Sequence, residues 1–407
     1  MRIGKFGKEN NLSIDTIRHY MDLGLIVPEK KGGQYEFDEN CQKDLELILE
    51  FKGMGFSLNE IKTIFHYKSF GNLTDYETEL YYQSLFLNKV EKVEQEIKDL
   101  QNISHKLKGK IDQLAAKSLR ERHSTGIDLS VLNLLCCHKC HEPLTLLDGT
   151  ISRNQIMDGK LSCECGEVYL IESGILIVGN PVRPESESAL ANSVHEYIQE
   201  TDPTFLENLN ISLHVSKRKL HQIDLHKKVL LELGTGVGFF LRNILQELPE
   251  DCLYIAVDHN LERHQFLKSL LERSDFKRKI LFICADFLEI PIPNQTVDIL
   301  IDSSGTSNYS FKHEAFLLRE VDHLIKREGY LLGSYLTFKN FSPKSKIASE
   351  YRDHFMVNKI RKKIAELGYE TLDERLSEPI DRGGRFEDFF VQGEEIYSYL
   401  FFGKRWG

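Results

Sequence analysis

Hydrophobic and polar residues change their spacing along the chain, and each change marks a different kind of element. From residue 225 onward, short apolar runs end at acidic residues or glycines and alternate with stretches of helical periodicity. This alternation is typical of parallel strands and helices in a doubly wound α/β fold. It predicts strands at 229–233, 253–258, 280–287, 297–303 and 329–335, a helix at 316–326, and an antiparallel closing pair near 367–370 and 395–402.

The front of the chain carries the signals of short helices and one hairpin. Ser13 stands before a helical stretch as an N-cap, and Ser57 with Glu60 forms a capping box before another. The glycine pair at 32–33, followed by alternating residues, predicts a hairpin. These signals together predict a small helical domain that includes one β-hairpin.

Residues 76–118 have apolar positions separated alternately by three and four residues, which predicts one long helix with an apolar seam. A seam on a long helix requires a partner helix, so a coiled-coil dimerisation helix is predicted here. Packing of this helix on its own chain is the alternative. The seam consists of Phe86, Val90, Val93, Ile97, Leu100, Leu107, Ile111 and Leu114, with polar Ser104 in one position.

The strand at 229–233 runs into a turn with the pattern Glu232-x-Gly234-x-Gly236-x-Gly238. Glycines let the backbone come close to a ligand where a side chain would collide, and a helix follows directly. A dinucleotide site would carry its third glycine one residue later, where Phe239 stands, and this weakens the dinucleotide interpretation. The turn predicts a nucleotide-type pocket at the carboxyl end of a parallel sheet.

This turn and the strand ends that follow it resemble the class I S-adenosylmethionine-dependent methyltransferases. The resemblance implies that Asp258 accepts hydrogen bonds from ribose hydroxyls, that Asp286 contacts the adenine amino group and that Phe287 packs on the ring. It also implies that Glu232 and carbonyls near Asp302 balance the sulfonium charge. The expected cofactor-binding residues are Glu232, Gly234, Thr235, Gly236, Gly238, Asp258, His259, Asp286, Phe287 and Asp302.

The methyl acceptor has no visible motif. Residues 302–309 lack the Asn-Pro-Pro-Tyr sequence of amino-group methylation, so a small-molecule acceptor is expected and the catalytic residues stay unknown. Segments 188–226, 303–313 and 340–360 are expected to carry substrate specificity, the first of them as helices that cover the acceptor pocket. Four side chains are possible bases, although a surface or core-edge role is commoner for each of them: Tyr309, His313, His323 and His354.

The residues Thr16-Ile17-Arg18-His19-Tyr20 and Met54 to Ile61 resemble the winged helix-turn-helix of the MerR family. The resemblance implies a second helix in the major groove, with Arg18 and Tyr20 on the DNA backbone and Thr16 near base edges, and an antiparallel homodimer. The wing has Glu36 where the family carries a phosphate-contacting arginine. The expected DNA-binding residues are Lys5, Thr16, Arg18, Tyr20 and Tyr35. The alternative is that this domain is a remnant that has a structural role or contacts another protein, and does not bind DNA.

Five of the eight cysteines lie between residues 136 and 165. Cys137-x-x-Cys140 and Cys163-x-Cys165 form two knuckle-like pairs that suit a tetrahedral structural zinc, and the segment resembles small zinc ribbons that accompany methyltransferases. The second pair is one residue shorter than usual, so Cys136, His138 or His141 is a possible substitute ligand. Buried, reduced cysteines in a small β-module are the alternative.

Composition and length limit the possible domain organisation, partners and location of the protein. The chain has 407 residues and a formal net charge of −10, which argues against nonspecific coating of nucleic acid but allows a local basic face. We find no signal-peptide pattern and no apolar run long enough to span a membrane, so a cytoplasmic protein is expected. We predict a MerR-like domain at 1–72, a dimerisation helix at 73–122, a zinc-ribbon-like module at 130–180 and a methyltransferase domain at 185–407, after a linker at 179–188.

The predicted fold class is therefore multidomain: an all-α winged helix-turn-helix with a long coiled-coil helix, a small β zinc ribbon and an α/β doubly wound, Rossmann-like methyltransferase. The favoured function is a promoter-binding regulator whose subunits each carry an S-adenosylmethionine-dependent methyltransferase. A catalytically silent sensor of S-adenosylmethionine or another effector is the alternative. A nucleic-acid-modifying enzyme is disfavoured by the missing acceptor motif and the acidic balance.

Overall fold

The computed structural model describes residues 1–71, 74–118, 124–180, 189–303 and 305–406. It divides into two compact units, Met1–Leu119 and Arg120–Gly407. Most of the predicted linker at 179–188, and residues 119–122 of the predicted dimerisation helix, lie outside the described residues. The four domain boundaries drawn from the sequence stay predictions.

The first unit is helical with one small hairpin, as the sequence predicted. Ser13 caps the second helix by accepting from the Thr16 amide at 3.0 Å. Ser57 and Glu60 form the capping box, since the Ser57 amide donates to Glu60 Oε2 at 2.8 Å and the Glu60 amide to Ser57 Oγ at 3.3 Å. The elements are α1 (Ile3–Glu9), α2 (Ile14–Asp22), β1 (Glu29–Lys31), β2 (Gln34–Glu36), α3 (Glu39–Gly53), α4 (Leu58–Gly71) and α5 (Asp75–Ser118).

The long helix α5 extends over 44 residues, which confirms the helix predicted at 76–118. Only its first turns share a core with the rest of the unit, where Tyr82, Leu85 and Phe86 pack against buried residues of the preceding helices. Beyond them, the seam residues from Val90 to Leu114 are solvent-exposed within the single chain. A row of exposed apolar side chains on a helix that leaves its own core requires another surface to cover it.

The second unit is built on a mixed sheet. Its described elements are β3 (Ile127–Asp128), β4 (Thr145–Ser152), β5 (Gln155–Ser162), β6 (Val168–Glu172), β7 (Ile175–Ile177), α6 (Ala189–Glu200), α7 (Pro203–Leu220), β8 (Val229–Leu233), α8 (Phe239–Ile244), β9 (Leu253–Asp258), α9 (Leu261–Leu271), β10 (Lys279–Cys284), β11 (Val297–Asp302), α10 (Gly305–Ser310), α11 (Leu317–Val321), β12 (Ile325–Phe338), α12 (Val357–Glu366), β13 (Tyr369–Leu376) and β14 (Ile396–Arg405).

The order of the strands places the glycine turn at the centre of the sheet. Strands follow one another as β13-β14-β12-β11-β8-β9-β10-β7, and β8 to β12 are all parallel to one another. The order reverses direction at β8, where connections leave to both sides, and a crevice for ligands forms at such a switch point. The strand β14 is antiparallel to both β12 and β13, which confirms the predicted closing pair.

Two sequence predictions differ from the observed elements around strand five. The helix expected at 316–326 is only the five residues of α11, and β12 begins at Ile325 rather than 329. The apolar residues Leu324 and Ile325 are buried. A short helix followed by a strand therefore buries the same apolar residues whose spacing had suggested one longer helix.

The cysteine-bearing module does not stand apart from this sheet. The strand β7 pairs with β10 in parallel, through Phe282 opposite Ile175, and β6 and β5 continue outward from it. Most of the module's buried residues share one hydrophobic core with residues of β8 to β12, and Ile175 and Ile177 belong to the second core of this unit. Among the described residues, no helix is both long and apolar enough to cross a lipid bilayer.

Candidate functional site: the glycine turn, the cysteine cluster and the wing

The glycine turn connects β8 to α8. Gly234, Gly236 and Gly238 have positive φ angles of 72°, 57° and 78°. A Cβ at Gly236 would meet no atom nearer than 3.9 Å, so the backbone there borders open space. At Gly238 a Cβ would fall 2.3 Å from Cδ1 of Leu267, so this glycine lets the turn pack tightly on α9. The turn thus leaves the main chain of Gly236 accessible to a ligand, while Gly238 packs closely on α9.

Glu232 lies at the end of β8 and is buried. Its Oε2 accepts a hydrogen bond of 2.8 Å from the hydroxyl of Tyr254 on β9. Burial raises the pKa of Glu232 to about 8, although the bonds from Tyr254 and Thr235 favour the charged form. A buried acid with this pKa is protonated at neutral pH and becomes charged when a cation arrives beside it.

Asp258, the acid at the end of β9, is hydrogen-bonded to the glycine turn. Asp258 Oδ2 accepts from the Gly236 amide at 2.9 Å, and Oδ1 accepts from the Asn260 amide at 2.9 Å. His259 is more exposed, with Nδ1 3.7 Å from Asp258 Oδ1. This arrangement sets a carboxylate directly beside the open backbone of Gly236.

The ends of β10 and β11 reach the same turn. Asp286 is exposed, and its Oδ1 accepts from the Leu288 amide at 2.9 Å. Phe287 is partly buried, and its Cζ lies 3.7 Å from the position of a Cβ on Gly234. On the other side, the Cα of Gly305 lies 3.3 Å from that same position. The segments that follow β10 and β11 therefore both lie close to Gly234 in the glycine turn.

Asp302 is the most enclosed of these acids. Its Oδ1 accepts from the Thr306 amide at 3.0 Å, while Oδ2 has no partner among the described residues. Burial raises the pKa of Asp302 to about 6. The side chain of Thr235, also buried, has its Oγ1 3.5 Å from the carbonyl of Glu232. Both residues are buried in the single chain.

The four possible bases named from the sequence have local partners. His313 stacks on Tyr309 at 3.9 Å between ring centroids, and its Nδ1 lies 2.8 Å from the Tyr309 carbonyl. His323 Nδ1 lies 2.8 Å from the carbonyl of Glu320. His354 is buried, with its two ring nitrogens near the Glu314 carbonyl and the Lys363 ammonium. These contacts assign none of the four a role in proton transfer.

A cover of aromatic residues near the turn was not found from the sequence. The ring of Tyr197 on α6 lies 5.9 Å from Phe239 and 5.3 Å from Phe386. Phe239 directly follows the last glycine, and Phe386 belongs to the segment between β13 and β14. The expectation that residues 188–226 lie on the acceptor side is consistent with this contact. Only the long-range ring contacts reveal Phe386, because nothing in its local sequence points to the turn.

The four predicted zinc ligands form one compact group. The Sγ atoms of Cys137, Cys140, Cys163 and Cys165 all lie within 4.8 Å of one another. Cys137 and Cys165 are 3.6 Å apart, and Cys140 and Cys163 are 3.3 Å apart. Sulfurs on a tetrahedral zinc are separated by about 3.8 Å, given Zn–S bonds of about 2.3 Å. The donor set and its size therefore fit a structural zinc ion.

The surroundings of Cys137 favour its thiolate. Burial opposes ionisation, but hydrogen bonds from the Tyr169 hydroxyl at 3.2 Å and from the amides of Cys140 and Lys139 outweigh it and lower the pKa of Cys137 to about 6. His138 lies outside the group, with Nδ1 2.8 Å from the Tyr169 hydroxyl. Cys136 and His141 do not belong to the group either. Tyr169, to which we assigned no role from the sequence, therefore supports the predicted ligands.

In the first unit, four of the five predicted DNA-binding residues are at least partly accessible. Lys5 and Arg18 each lie near an acid of their own helix, Glu9 at 3.6 Å and Asp15 at 3.5 Å. Thr16 Oγ1 is hydrogen-bonded to Ser13 Oγ at 2.8 Å. Tyr35 is exposed on the wing. The predicted basic face is therefore partly neutralised by acids of the same unit.

Tyr20 is placed differently from the other four. It is only 1% exposed, its ring belongs to the core of the first unit, and its hydroxyl accepts from Lys52 Nζ at 3.3 Å. A ring in this position stabilises the packing of α2 against its neighbours, and the Lys52 ammonium also lies 5.8 Å from the ring centroid. Contact of Tyr20 with DNA stays a prediction.

Comparison with known proteins finds family models that match segments in both halves of the chain. Residues 1–68 match the model of the MerR HTH family regulatory protein, and residues 42–110 match the model described as MerR, DNA binding. Residues 225–376 match the model of a methyltransferase domain.

Two curated transcriptional regulators are similar to the front of the chain. The HTH-type regulator HmrR of Rhizobium leguminosarum bv. viciae is 34% identical over 65 residues, which are 16% of this chain and 50% of that protein. The HTH-type regulator ZntR homolog of Haemophilus influenzae is 33% identical over 66 residues, 16% of this chain and 49% of that protein. The chain thus spans about half the length of the curated relatives it matches.

Solved structures of low identity are similar to about half of the chain. A phosphoethanolamine N-methyltransferase 2 of Haemonchus contortus is 12% identical, with a TM-score of 0.36, over 49% of this chain and 53% of that one. A SAM-dependent methyltransferase of Aquifex aeolicus is 16% identical, with a TM-score of 0.33, over 54% of this chain and 99% of that one.

Proposed function

We propose that this chain, which joins a MerR-type helix-turn-helix segment to a methyltransferase domain, is a DNA-binding regulator that binds S-adenosylmethionine and methylates a small molecule. The main support for the proposal is the hydrogen bond that Asp258 accepts from the accessible main chain of Gly236, together with the buried acid Glu232 nearby. A carboxylate, bare main chain and a chargeable acid in one crevice match the ribose, the adenosyl group and the cationic end of that cofactor.

The residues of the crevice fit the cofactor in a definite order. S-adenosylmethionine supplies an electrophilic methyl group on a sulfonium. Asp258 is the acceptor for ribose hydroxyls, Phe287 and Asp286 are the adenine neighbours, and Glu232 supplies negative charge near the cationic end. By holding the cofactor rigidly, these residues provide orientation, which is the main protein contribution to a transfer between two bound molecules.

Calorimetric titration of the full chain with S-adenosylmethionine tests this proposal. The variant Asp258→Asn should bind at least about tenfold more weakly, because a charged acceptor is lost from the ribose. Asp251→Asn is the matched control, since Asp251 is exposed and hydrogen-bonds His226 away from the turn. Production of S-adenosylhomocysteine from a small-molecule extract would establish turnover. Absence of cofactor binding by the unaltered chain would refute the proposal.

One observation favours a second candidate, a catalytically silent sensor. The helix α9 begins beside Asp258, and Glu272 at its end accepts from the Thr125 amide at 2.8 Å. Thr125 lies in the first described segment after α5. The helix α9 therefore connects Asp258, the acid proposed to bind the cofactor, to the segment that follows α5 in the chain. Binding without turnover, together with a change in DNA affinity when S-adenosylmethionine is added, would support the sensor over the enzyme.

The cysteine group holds zinc in this proposal. Its compact Sγ atoms and the Tyr169 support are what a tetrahedral thiolate site needs, and thiolate ligands suit a reducing compartment such as the cytoplasm. Zinc would stabilise the outer strands β4 and β5, which flank the ligands. Metal analysis of the purified chain should find about one zinc per chain, from the one four-ligand group present. Cys140→Ser with Cys163→Ser should contain none.

DNA is the proposed partner of the first unit, and a second copy of the chain is the proposed partner of α5. The exposed row from Val90 to Leu114 forms an antiparallel two-stranded coiled coil, which presents two recognition helices to two half-sites. A gel shift on the chain's own promoter tests the DNA contact. Arg18→Ala should abolish the shift while leaving the melting temperature unchanged, and an unaltered shift would contradict the proposal.

A further inference from the structure

The segment that follows β10, residues 286–292, carries two of the residues expected to contact the cofactor. It begins with Asp286 and Phe287 and contains one turn of 3₁₀ helix, which Asp286 caps by accepting from the Leu288 amide at 2.9 Å. A single helical turn is not stable by itself, so the position of this 286–292 loop depends on the contacts that it makes with the rest of the chain.

A backbone hydrogen bond joins the 286–292 loop to the cysteine group. The amide of Cys136 donates to the carbonyl of Pro291 at 3.0 Å. Cys136 is buried and directly precedes Cys137, one of the four proposed zinc ligands. A shift of the Cys137 backbone would therefore move the donor of this bond.

Cys136 stands in a narrow turn formed by residues 135–144. It lies opposite Pro143 in an antiparallel bridge, whose backbone hydrogen bonds are made by the residues on either side of the pair. In such a pair the amide points away from its partner, and this directs the Cys136 amide at the loop. Cys137 and Cys140 lie within this turn, so a metal held by both would fix the donor in place.

The loop and the cysteine group also share one hydrophobic core. Ile290 and Ile292 are 6% and 2% exposed, and they belong to the same buried cluster as Leu135 and Cys137. The partly buried ring of Phe287 packs against this cluster. The position of the ring that is expected to stack on adenine therefore depends on a core to which the cysteine group contributes.

The end of β10 gives a second connection between the module and the crevice. The Val178 amide, just after β7 of the module, donates to the carbonyl of Cys284 at 2.9 Å. The amide of the next residue, Ala285, donates to the carbonyl of Asp258 at 3.1 Å. The start of the loop is thus held between the cysteine-bearing module on one side and the proposed ribose acceptor on the other.

We infer that metal binding at the four cysteines orders the 286–292 loop and thereby raises the affinity of the crevice for S-adenosylmethionine. A metal that fixes the supporting turn favours the ordered loop, and so does a ligand that contacts the loop in that state. The two sites are therefore coupled although they share no ligand residue. The effect on affinity rests on the proposed cofactor, whereas the ordering of the loop needs only the proposed zinc.

Hydrogen exchange of the full chain, followed by mass spectrometry with and without zinc, tests the ordering of the loop. Competition with a chelator first establishes that zinc is bound, and absence of binding would overturn the metal site and this inference together. After zinc removal, the amides of residues 286–292 should exchange at least about fivefold faster, whereas those of β9 should stay protected. Unchanged exchange in the loop would refute the inference. Equal loss of protection in β9 would also refute it, because zinc would then support the whole unit.

Titration calorimetry with S-adenosylhomocysteine measures the coupling. This probe has no charge on sulfur, which keeps the protonation of Glu232 out of the comparison. Zinc-loaded chain should bind it at least about fivefold more tightly than zinc-free chain, and added zinc should restore the affinity. Equal affinities would overturn the coupling and leave the proposed cofactor intact. No binding by either form would refute the cofactor and its coupling, and hydrogen exchange would still decide whether zinc orders the loop.

A pair of variants tests the route through the loop. Ile290→Ala removes a buried side chain of the loop, so zinc should then change the affinity for S-adenosylhomocysteine by less than about twofold. Ile360→Ala is the matched control, because Ile360 is buried in the same core but lies on α12, and here the effect of zinc should stay at about fivefold or more. Equal effects of zinc in the two variants, large or small, would contradict the inference. The measurements on the unaltered chain do not depend on the folding of either variant.

Discussion

The hydroxyl of Tyr254 donates a hydrogen bond of 2.8 Å to the carboxyl of Glu232, across two adjacent parallel strands of the sheet. Both side chains are buried, and burial raises the pKa of Glu232 to about 8. In the absence of ligand the carboxyl therefore keeps its proton at neutral pH. A cationic ligand favours the carboxylate, so the charge of Glu232 and the occupancy of the crevice are linked.

This linkage predicts that S-adenosylmethionine affinity increases with pH. Between the lower pKa that Glu232 has beside a bound cation and its free value of about 8, binding must release a proton. The affinity should rise by up to about tenfold per pH unit in this window and level off above it. Calorimetry at pH 6, 7, 8 and 9, in buffers of different ionisation enthalpy, measures both the affinity and the released proton.

The control for this prediction is Glu232→Gln, which keeps a partner for Tyr254 but cannot ionise. Its affinity should be lower at pH 9 and nearly independent of pH. A pH slope that persists unchanged in Glu232→Gln would assign the released proton to another group.

Tyr169→Phe should weaken zinc binding without removing a ligand. The Tyr169 hydroxyl supports the Cys137 thiolate, and loss of such an outer hydrogen bond typically costs about 10–100-fold in metal affinity. Competition with a chromophoric chelator measures the change. Cys136→Ser is the matched control, because Cys136 adjoins Cys137 in the chain but lies outside the four-sulfur group. Weakening by Cys136→Ser equal to that by Tyr169→Phe would contradict this assignment.

Glu36→Arg should tighten DNA binding. Glu36 is on the wing strand β2, where its carboxylate lies 3.9 Å from Lys31 Nζ and also replaces the phosphate-contacting arginine expected from the family. The change removes a repulsive charge and adds a phosphate contact, so the salt dependence of affinity should steepen by about one counterion per half-site. Fluorescence anisotropy at several salt concentrations measures it. Glu46→Arg, an exposed acid on α3, should have a smaller effect.

The sequence predicted the central sheet well because each strand end carries chemistry as well as hydrophobicity. Runs such as 229–233 and 253–258 stop at Glu232-x-Gly234 and Asp258, and the observed strands have those bounds. Local pattern could not show that β7 pairs with β10, because pairing between residues more than 100 positions apart leaves no periodic signal. The module at 130–180 was therefore predicted as a separate ribbon, whereas its strands extend the central sheet.

Site residues could be predicted where their chemical type and spacing determine their role. They could not be predicted where the role depends on contacts that form only on folding. The four cysteines and the turn glycines have spacings that suggest ligands. Tyr254 and Tyr169 act through hydrogen bonds that form only in the folded chain, so their sequence context is uninformative. Tyr20 illustrates the converse, because a family position suggested a DNA contact while its ring is needed in the core of a small domain.

Leu100→Asp should convert a dimer into a monomer. Leu100 is 65% exposed in the single chain and lies in the middle of the seam, so the proposed partner helix would bury it. Placing a charge there loses the apolar contact on both helices, and the dimer dissociation constant should rise by at least about 100-fold. Sedimentation equilibrium over a concentration series measures the constant. Asn102→Asp introduces the same charge on the opposite side of α5 and should leave the dimer intact. A monomer in the unaltered chain would show instead that the exposed row is covered by something other than a second copy.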